Sequence, residues 1–240
     1  MIVWKDENTT IFKSVLYETI STVVITDDCV LVVDPCWLPH EVEEIRSYVE
    51  AHRQLRPLYL LFTHSDYDHI IGYRAFPEAT VIASEAFKTK SDQAKAGIIE
   101  QIKAFDDEYY VTRSYEIVYP EVDLSIAGEE TSIEIGQTKL TFFQAPGHNE
   151  DGIFTIIEPL GVFLTGDYFS DIEFPYIYVN SYKYEETILK LDSILSEYPI
   201  ELFVSGDVNA SGDRSEMKKR QRDSLDYIHM LRELVVEKNQ

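Results

Sequence analysis

Leu58-Tyr59-Leu60-Leu61-Phe62 runs straight into Thr63-His64-Ser65-Asp66-Tyr67-Asp68-His69, so an apolar run ends in a loop holding four potential metal ligands. The apolar run predicts a buried strand. In an extended segment, alternation places His64, Asp66 and Asp68 on one side. His69 joins them only if the chain turns, and Gly72 stands where such a turn can be completed. Imidazole nitrogen and carboxylate oxygen together suit zinc, iron or manganese. The competing reading is a polar loop whose His and Asp residues merely cap the next helix. The density of ligand-type side chains favours the metal.

The other groups such a centre needs come one per loop, each after an apolar run. Leu140-Thr141-Phe142-Phe143-Gln144-Ala145 leads into Pro146-Gly147-His148. Gly161-Val162-Phe163-Leu164-Thr165 leads into Gly166-Asp167, and Leu202-Phe203-Val204 into Ser205-Gly206-Asp207. Singly, each Gly-His or Gly-Asp pair reads as an ordinary turn. Strand, glycine, ligand-type residue, in repeated order, is what a metal site built from loops at the ends of packed strands requires. The glycines let backbone come close, and the strands hold the ligands in place.

On these motifs the chain resembles the metallo-β-lactamase superfamily of metal-dependent hydrolases, from Ser21-Thr22-Val23-Val24-Ile25 to Ser205-Gly206-Asp207. The family pattern is His-x-His-x-Asp-His, then a lone His, a bridging Asp and a last His. The resemblance implies an α+β fold, a four-layer αββα sandwich with two divalent metal ions at one edge. One ion would take His64, Asp66 and His148; the other would take Asp68, His69 and Asp207, with Asp167 bridging both. Asp34, in Val32-Val33-Asp34-Pro35, matches the family's early strand-end Asp, which supports the site without binding metal. Asp66 and Asp207 stand where the family has His. Both remain ligand types, and the other histidines, His40, His52 and His229, lie in or beside helical segments and substitute poorly.

The two replacements change the charge. Four carboxylates against two divalent ions leave the centre formally neutral, where the family's usual two leave it positive. Oxygen-rich ligands shift preference from zinc towards iron or manganese. A neutral site attracts an anionic substrate less and makes a bound water less acidic. Phosphodiesters and nucleic acids therefore rank below a carboxylic ester, thioester or lactone. The implied chemistry is metal-assisted hydrolysis, with Asp68 orienting the nucleophile or accepting its proton and Asp167 setting the spacing of the ions. Tyr168 and Tyr182 are candidates to polarise a substrate carbonyl, within an aromatic-rich stretch that includes Phe174, Tyr176 and Tyr178. Two other classes compete: an iron-dependent oxidoreductase of the same fold, acting on persulfides or oxygen, and a non-catalytic metal-binding protein. Flavodiiron relatives carry Glu at the position of Asp66.

Composition bounds the setting. With 240 residues, 45% of them hydrophobic, one domain over residues 1–240 can bury a full core, with a helical insert at about 85–110. A formal charge of −22 opposes binding to nucleic acid or anionic membranes, and no apolar run approaches membrane-spanning length. Met1-Ile2-Val3-Trp4-Lys5-Asp6 does not read as a signal peptide, and Cys29 and Cys36 lack metal-type spacing or a disulfide framework. The expectation is a cytoplasmic protein with a small-molecule substrate as its partner; a homodimer is left open.

Along the chain, a hairpin is expected over Val23–Val33 about Asp27-Asp28, then a helix from about Pro39 to His52 with Val42, Ile45 and Val49 inward. Thr80–Ser84 reads as a strand. Glu85 to Tyr109 reads as one helical pattern with Ile98, Ile99, Ile102 and Phe105 in a stripe. Asp123 to Ile157 reads as a second block of strands, followed by helices over Glu185–Tyr198 and Ser215–Glu237.

Overall fold

Strands whose side chains are apolar on both faces must be covered on both faces, and this chain builds two such sheets. The computed structural model describes residues 1–207 and 209–238. A seven-stranded sheet runs in sequence order: β1 (Ile2–Lys5), β2 (Thr9–Lys13), β3 (Ile20–Ile25), β4 (Val30–Val33), β5 (Leu58–Leu61), β6 (Thr80–Ser84) and β7 (Leu124–Ile126). It is antiparallel from β1 to β4 and parallel from β4 to β7. A five-stranded sheet comprises β8 (Thr131–Ile135), β9 (Thr138–Gln144), β10 (Ile153–Glu158), β11 (Val162–Leu164) and β12 (Leu202–Val204), in reverse order, with β11 and β12 parallel. The helices are α1 (Pro39–Arg53), α2 (Tyr67–Ile70), α3 (Glu85–Thr89), α4 (Asp92–Glu108), α5 (Ser181–Glu197) and α6 (Arg214–Lys238).

Alternation sorts the apolar side chains into three cores. Between the sheets, Val24, Leu31, Leu61 and Ile82 meet Leu140, Phe142, Ile157, Leu164 and Val204. On the outer face of the larger sheet, Val23, Val32, Leu60 and Val81 pack against Val42, Ile45 and Val49 of α1 and Ile102 of α4. On the outer face of the smaller sheet, Phe143, Phe154, Phe163 and Phe203 pack against Ile188, Leu191 and Ile194 of α5 and Met217 and Ile228 of α6. Each fully buried side chain of this size contributes about 1.5–3 kcal/mol. The result is the expected four-layer αββα sandwich.

Several elements differ from the sequence reading. β7 pairs with β6 in the first sheet instead of opening the second block, because Leu124–Ile126 lies parallel to Ile82–Ser84. The helical pattern from Glu85 is broken in two: Ser84 caps α3 and Ser91 caps α4, each hydroxyl accepting a backbone amide three residues on. α5 begins at Ser181, earlier than expected, because Asn180 accepts the amides of Tyr182 and Lys183. β1 and β2 have no counterpart in the sequence reading; β1 is exposed throughout although Ile2, Val3 and Trp4 are apolar. Among the described residues no helix is long and apolar enough to cross a membrane.

The parallel strands β4 and β5, and the parallel pair β11 and β12, bring their carboxyl ends to one edge of the sandwich. Backbone bonds stitch the emerging loops together there: Ile153 N donates to Thr63 O (2.9 Å) and Gly206 N to Gly166 O (2.7 Å).

Candidate metal centre

The loop after β5 is clamped from beneath by Asp34. Its Oδ1 accepts the Thr63 amide at 2.9 Å, and its Oδ2 accepts the Thr63 hydroxyl at 2.5 Å. The same Oδ2 lies 3.1 Å from His69 Nδ1. Asp34 is buried and holds φ +45°, a conformation that few residues other than glycine adopt. His69 returns to the site because the chain turns at α2, where its amide donates to Asp66 O at 3.0 Å. Gly72 lies in the turn that follows α2, at a φ of −87° open to any residue, and glycine is needed there for space. It packs against Pro35, where an added Cβ would stand 2.2 Å from the carbonyl oxygen.

All three imidazoles turn the same nitrogen inward. His148 Nδ1 donates to the carbonyl of Tyr176 at 2.8 Å, and His69 Nδ1 to Asp34. The Thr63 hydroxyl is spent on Asp34, so His64 Nδ1 donates to Thr63 Oγ1 at 3.0 Å. Fixing Nδ1–H in this way sets the tautomer and leaves the Nε2 lone pair for a ligand.

The Nε2 atoms converge on Asp167. Its Oδ2 lies 3.5 Å from His64 Nε2 and 3.4 Å from His148 Nε2, and its Oδ1 lies 3.1 Å from His69 Nε2. Asp66 Oδ2 lies 3.1 Å from His148 Nε2 and 3.6 Å from His64 Nε2. His64, Asp66, His148 and Asp167 thus offer ligand atoms all within 4.8 Å of one another. Asp68 Oδ2 approaches His69 Nε2 at 3.8 Å. Despite these distances, His64 Nε2, His69 Nε2 and Asp167 Oδ1 are buried without a hydrogen-bond partner. Orphaned buried polar atoms are costly, and a cation between them would satisfy all three at once. The donor set therefore fits a metal ion.

Asp207 sits beside this group, its carboxylate outside the four that close together. Gly206 lets the loop come in: a Cβ there would stand 2.3 Å from Asp167 Oδ1. Burial, and then the charge of Asp167, push the Asp207 carboxyl up to about 8. Glu173, which the sequence reading passed over, lines the same small recess as Asp167 and Asp207. No motif marks Glu173; only the path of the loop before α5 brings it there.

Electrostatics at the centre is that of paired imidazoles and carboxylates. Burial by itself lowers the histidines, but Asp167 and Asp66 outweigh it, holding His64 at about 9 and His148 at about 10. Burial by itself raises Asp66 and Asp167, but the imidazoles hold both carboxyls well below the ordinary range. Groups raised on folding stabilise fully below their unfolded value, 6.5 for His, and lose that contribution as pH rises through the folded value. Asp207, also raised, acts in the same direction. Thermal midpoints of metal-free protein are therefore expected to fall as pH climbs from 6.5 towards 10. Metal-loaded protein should lose most of that slope, because the ion takes the protons' place. A rising midpoint over that range in metal-free protein would contradict this assignment.

The two tyrosines proposed as carbonyl polarisers are committed elsewhere. Tyr168 is buried; its hydroxyl accepts the His148 amide at 2.9 Å and donates to Ala145 O at 2.9 Å. It positions His148 and has no proton left for a substrate. Tyr182 is exposed, its ring 4.0 Å beneath the Arg232 guanidinium of α6. Tyr168→Phe is expected to destabilise the fold by about 2 kcal/mol, by leaving a buried amide unpaired. Metal affinity should weaken by about tenfold, as for other groups that orient a ligand; a metal titration checks it. The remaining histidines lie away from the centre: His52 stacks on Tyr48, His229 lies 2.7 Å from Glu185, and His40 is exposed on α1. Cys36 is buried beside Ser21 in the outer core of the larger sheet.

Next to Asp66 opens a cavity of about 630 Å³. Tyr67 of α2, Phe105 of α4 and Tyr178 of the loop before α5 wall it. Tyr178 also packs on His148, ring centroids 5.2 Å apart, so the cavity and the centre share a wall.

An αββα sandwich with a His/Asp cluster at its strand-end edge is the architecture of a metallohydrolase-type fold. The model of the metallo-beta-lactamase superfamily matches residues 18–227, and the chain belongs to that superfamily. Among solved structures it is similar to a metallo-beta-lactamase from Cronobacter sakazakii, mutated in its HARLDQ motif: 15% identity, TM-score 0.68, covering 100% of this chain and 98% of that one. It is also similar to a metallo-beta-lactamase from Pontibacter korlensis, with 14% identity, TM-score 0.65 and coverage of 94% and 98%. The DIM-1 metallo-beta-lactamase aligns at 15% identity and TM-score 0.64, over 96% and 97% of the two chains. At these identities the likeness concerns the fold. No curated protein matches the chain.

Proposed function

We propose that this protein is a metal-dependent hydrolase of esters, thioesters or lactones, using two divalent ions. One observation carries the reading: three imidazoles each spend Nδ1 on a donor bond and point Nε2 at shared carboxylates. His64, Asp66 and His148 would hold the first ion, and Asp68, His69 and Asp207 the second, with Asp167 between them. The carboxylate-rich set favours iron or manganese over zinc. When bound, the ions would supply Lewis acidity towards a water and a substrate carbonyl.

The chain's own residues do the rest. Asp34 and Thr63 lock the orientation of His69 and His64. Asp68 would accept a proton from water as the water oxygen bonds to the acyl carbon, and would return it to the leaving oxygen or sulfur as the acyl–oxygen or acyl–sulfur bond breaks. Tyr168 keeps the His148 loop in place. Asn149 donates to Asp66 Oδ1, leaving the other oxygen of that carboxylate to the centre.

The first test is elemental analysis of protein purified without added metal, with Asp66→Ala and Asp207→Ala beside it. Two equivalents are expected in the parent. Asp66→Ala should lose most of its metal, because it removes a member of the four-residue group; Asp207→Ala should keep about one equivalent. Loaded protein is then offered a panel of esters, lactones and thioesters. Full metal without turnover of any of them would overturn the hydrolase reading.

A further inference from the structure

The cavity beside Asp66 differs in character from the centre it adjoins. Four tyrosines, Tyr17, Tyr67, Tyr109 and Tyr178, line it together with Phe105. Three of them keep large exposed areas: Tyr17 61%, Tyr109 57% and Tyr178 69%. Exposed aromatic side chains converging from three separate segments around one opening mark a binding site more often than chance surface. The charged groups in the lining are Asp66 and Glu108, and among the described residues no Lys or Arg contributes to it. The nearby Arg113 guanidinium is tied to Asp106 at 2.8 and 2.9 Å and to the Trp37 carbonyl at 2.9 Å.

Asp66 is engaged by Asn149 and the centre, which leaves electron-rich rings and the Glu108 carboxylate, with no Lys or Arg among the lining residues, as a cage for positive charge. A cation over a tyrosine face gains about 0.5–2 kcal/mol, and the chain's charge of −22 adds long-range attraction. An anionic substrate would find no partner in this lining. We propose that the cavity binds a cationic group of the substrate, such as a substituted ammonium, and presents the adjoining acyl group to the metal centre. The proposal rests on the hydrolase reading only in taking the cavity as the substrate's approach; the cage itself is a binding claim. Tyr178 shares its ring environment with His148, so a cation seated in the cage lies within one small-molecule length of the centre.

The test separates the two claims. Calorimetry on metal-loaded protein would compare phenyltrimethylammonium with benzenesulfonate, two ligands of similar size and opposite charge. The ammonium should bind at least about ten times more tightly. Acetylcholine and 3,3-dimethylbutyl acetate have nearly the same shape and differ by one charge. The charged ester should show about tenfold higher kcat/KM. Paired substitution of Glu108→Gln with Tyr109→Leu should bring that ratio towards one. Equal binding of the two ligands, or equal cleavage of the two esters, overturns the cage and leaves the hydrolase standing. Selective ammonium binding with neither ester cleaved upholds the cage and counts against the hydrolase.

Discussion

Asp167→Ala is expected to empty the centre and remove hydrolysis by about three decades or more. Among the described residues Asp167 is the one carboxylate that approaches all three imidazoles, at 3.1 to 3.5 Å. It is also the carboxylate assigned to both ions. Removing it leaves each ion short of a ligand, and losing several kcal/mol of Lewis-acid stabilisation corresponds to that rate. The metal-free protein should suffer as well. His64, His69 and His148 owe much of their raised proton affinity to this carboxylate, with Asp66, Asp68 and Asp34 supplying the rest, so all three should become less basic without it. Metal analysis together with a pH series of thermal midpoints reads both effects. A variant that keeps two equivalents of metal would refute the bridging role.

Asp34→Ala should be the most destabilising single change near the site, by about 3–5 kcal/mol. The carboxylate holds three partners at once: the Thr63 amide, the Thr63 hydroxyl and His69 Nδ1. All are buried, so losing the carboxylate leaves them unpaired in the interior. The backbone at Asp34 is also held in a rarely occupied conformation that those bonds maintain. Denaturant unfolding measures the loss. Asp34→Asn separates charge from geometry, since an amide can still accept from Thr63 but pairs poorly with a protonated His69. A loss below about 1 kcal/mol for the alanine variant would mean that neighbours reposition to cover the gap.

Much of the architecture was legible because it is written in local periodicity. Val23-Val24 and Leu60-Leu61 each send one side chain to an outer core and one to the inter-sheet core. A run apolar on both faces demands layers above and below. The ends of those runs, with their glycines, pointed to the loops that carry the metal-ligand types. What periodicity could not place were short elements whose pairing depends on distant parts of the chain. β1 is exposed along its length, and three-residue β7 joins the first sheet through parallel pairing across a long connection. The Ser91 cap that splits Glu85–Glu108 into α3 and α4 was readable in principle, but the stripe of isoleucines masked it.

The site divides along the same line. The sequence by itself determined the set of ligand types, their order in the chain and the family to which that order belongs, since all of these are properties of spacing and side-chain chemistry. Tertiary structure alone decided which hydroxyl serves as a support and which faces the opening. Tyr168 lies 20 residues from the His148 amide it accepts, and Asp34 lies 35 residues from His69. Tyr17, Tyr67, Tyr109 and Tyr178 meet around one cavity although no spacing relates them. Contacts of that range depend on how packed sheets bring distant loops to a common edge, and that information is carried by the folded core as a whole.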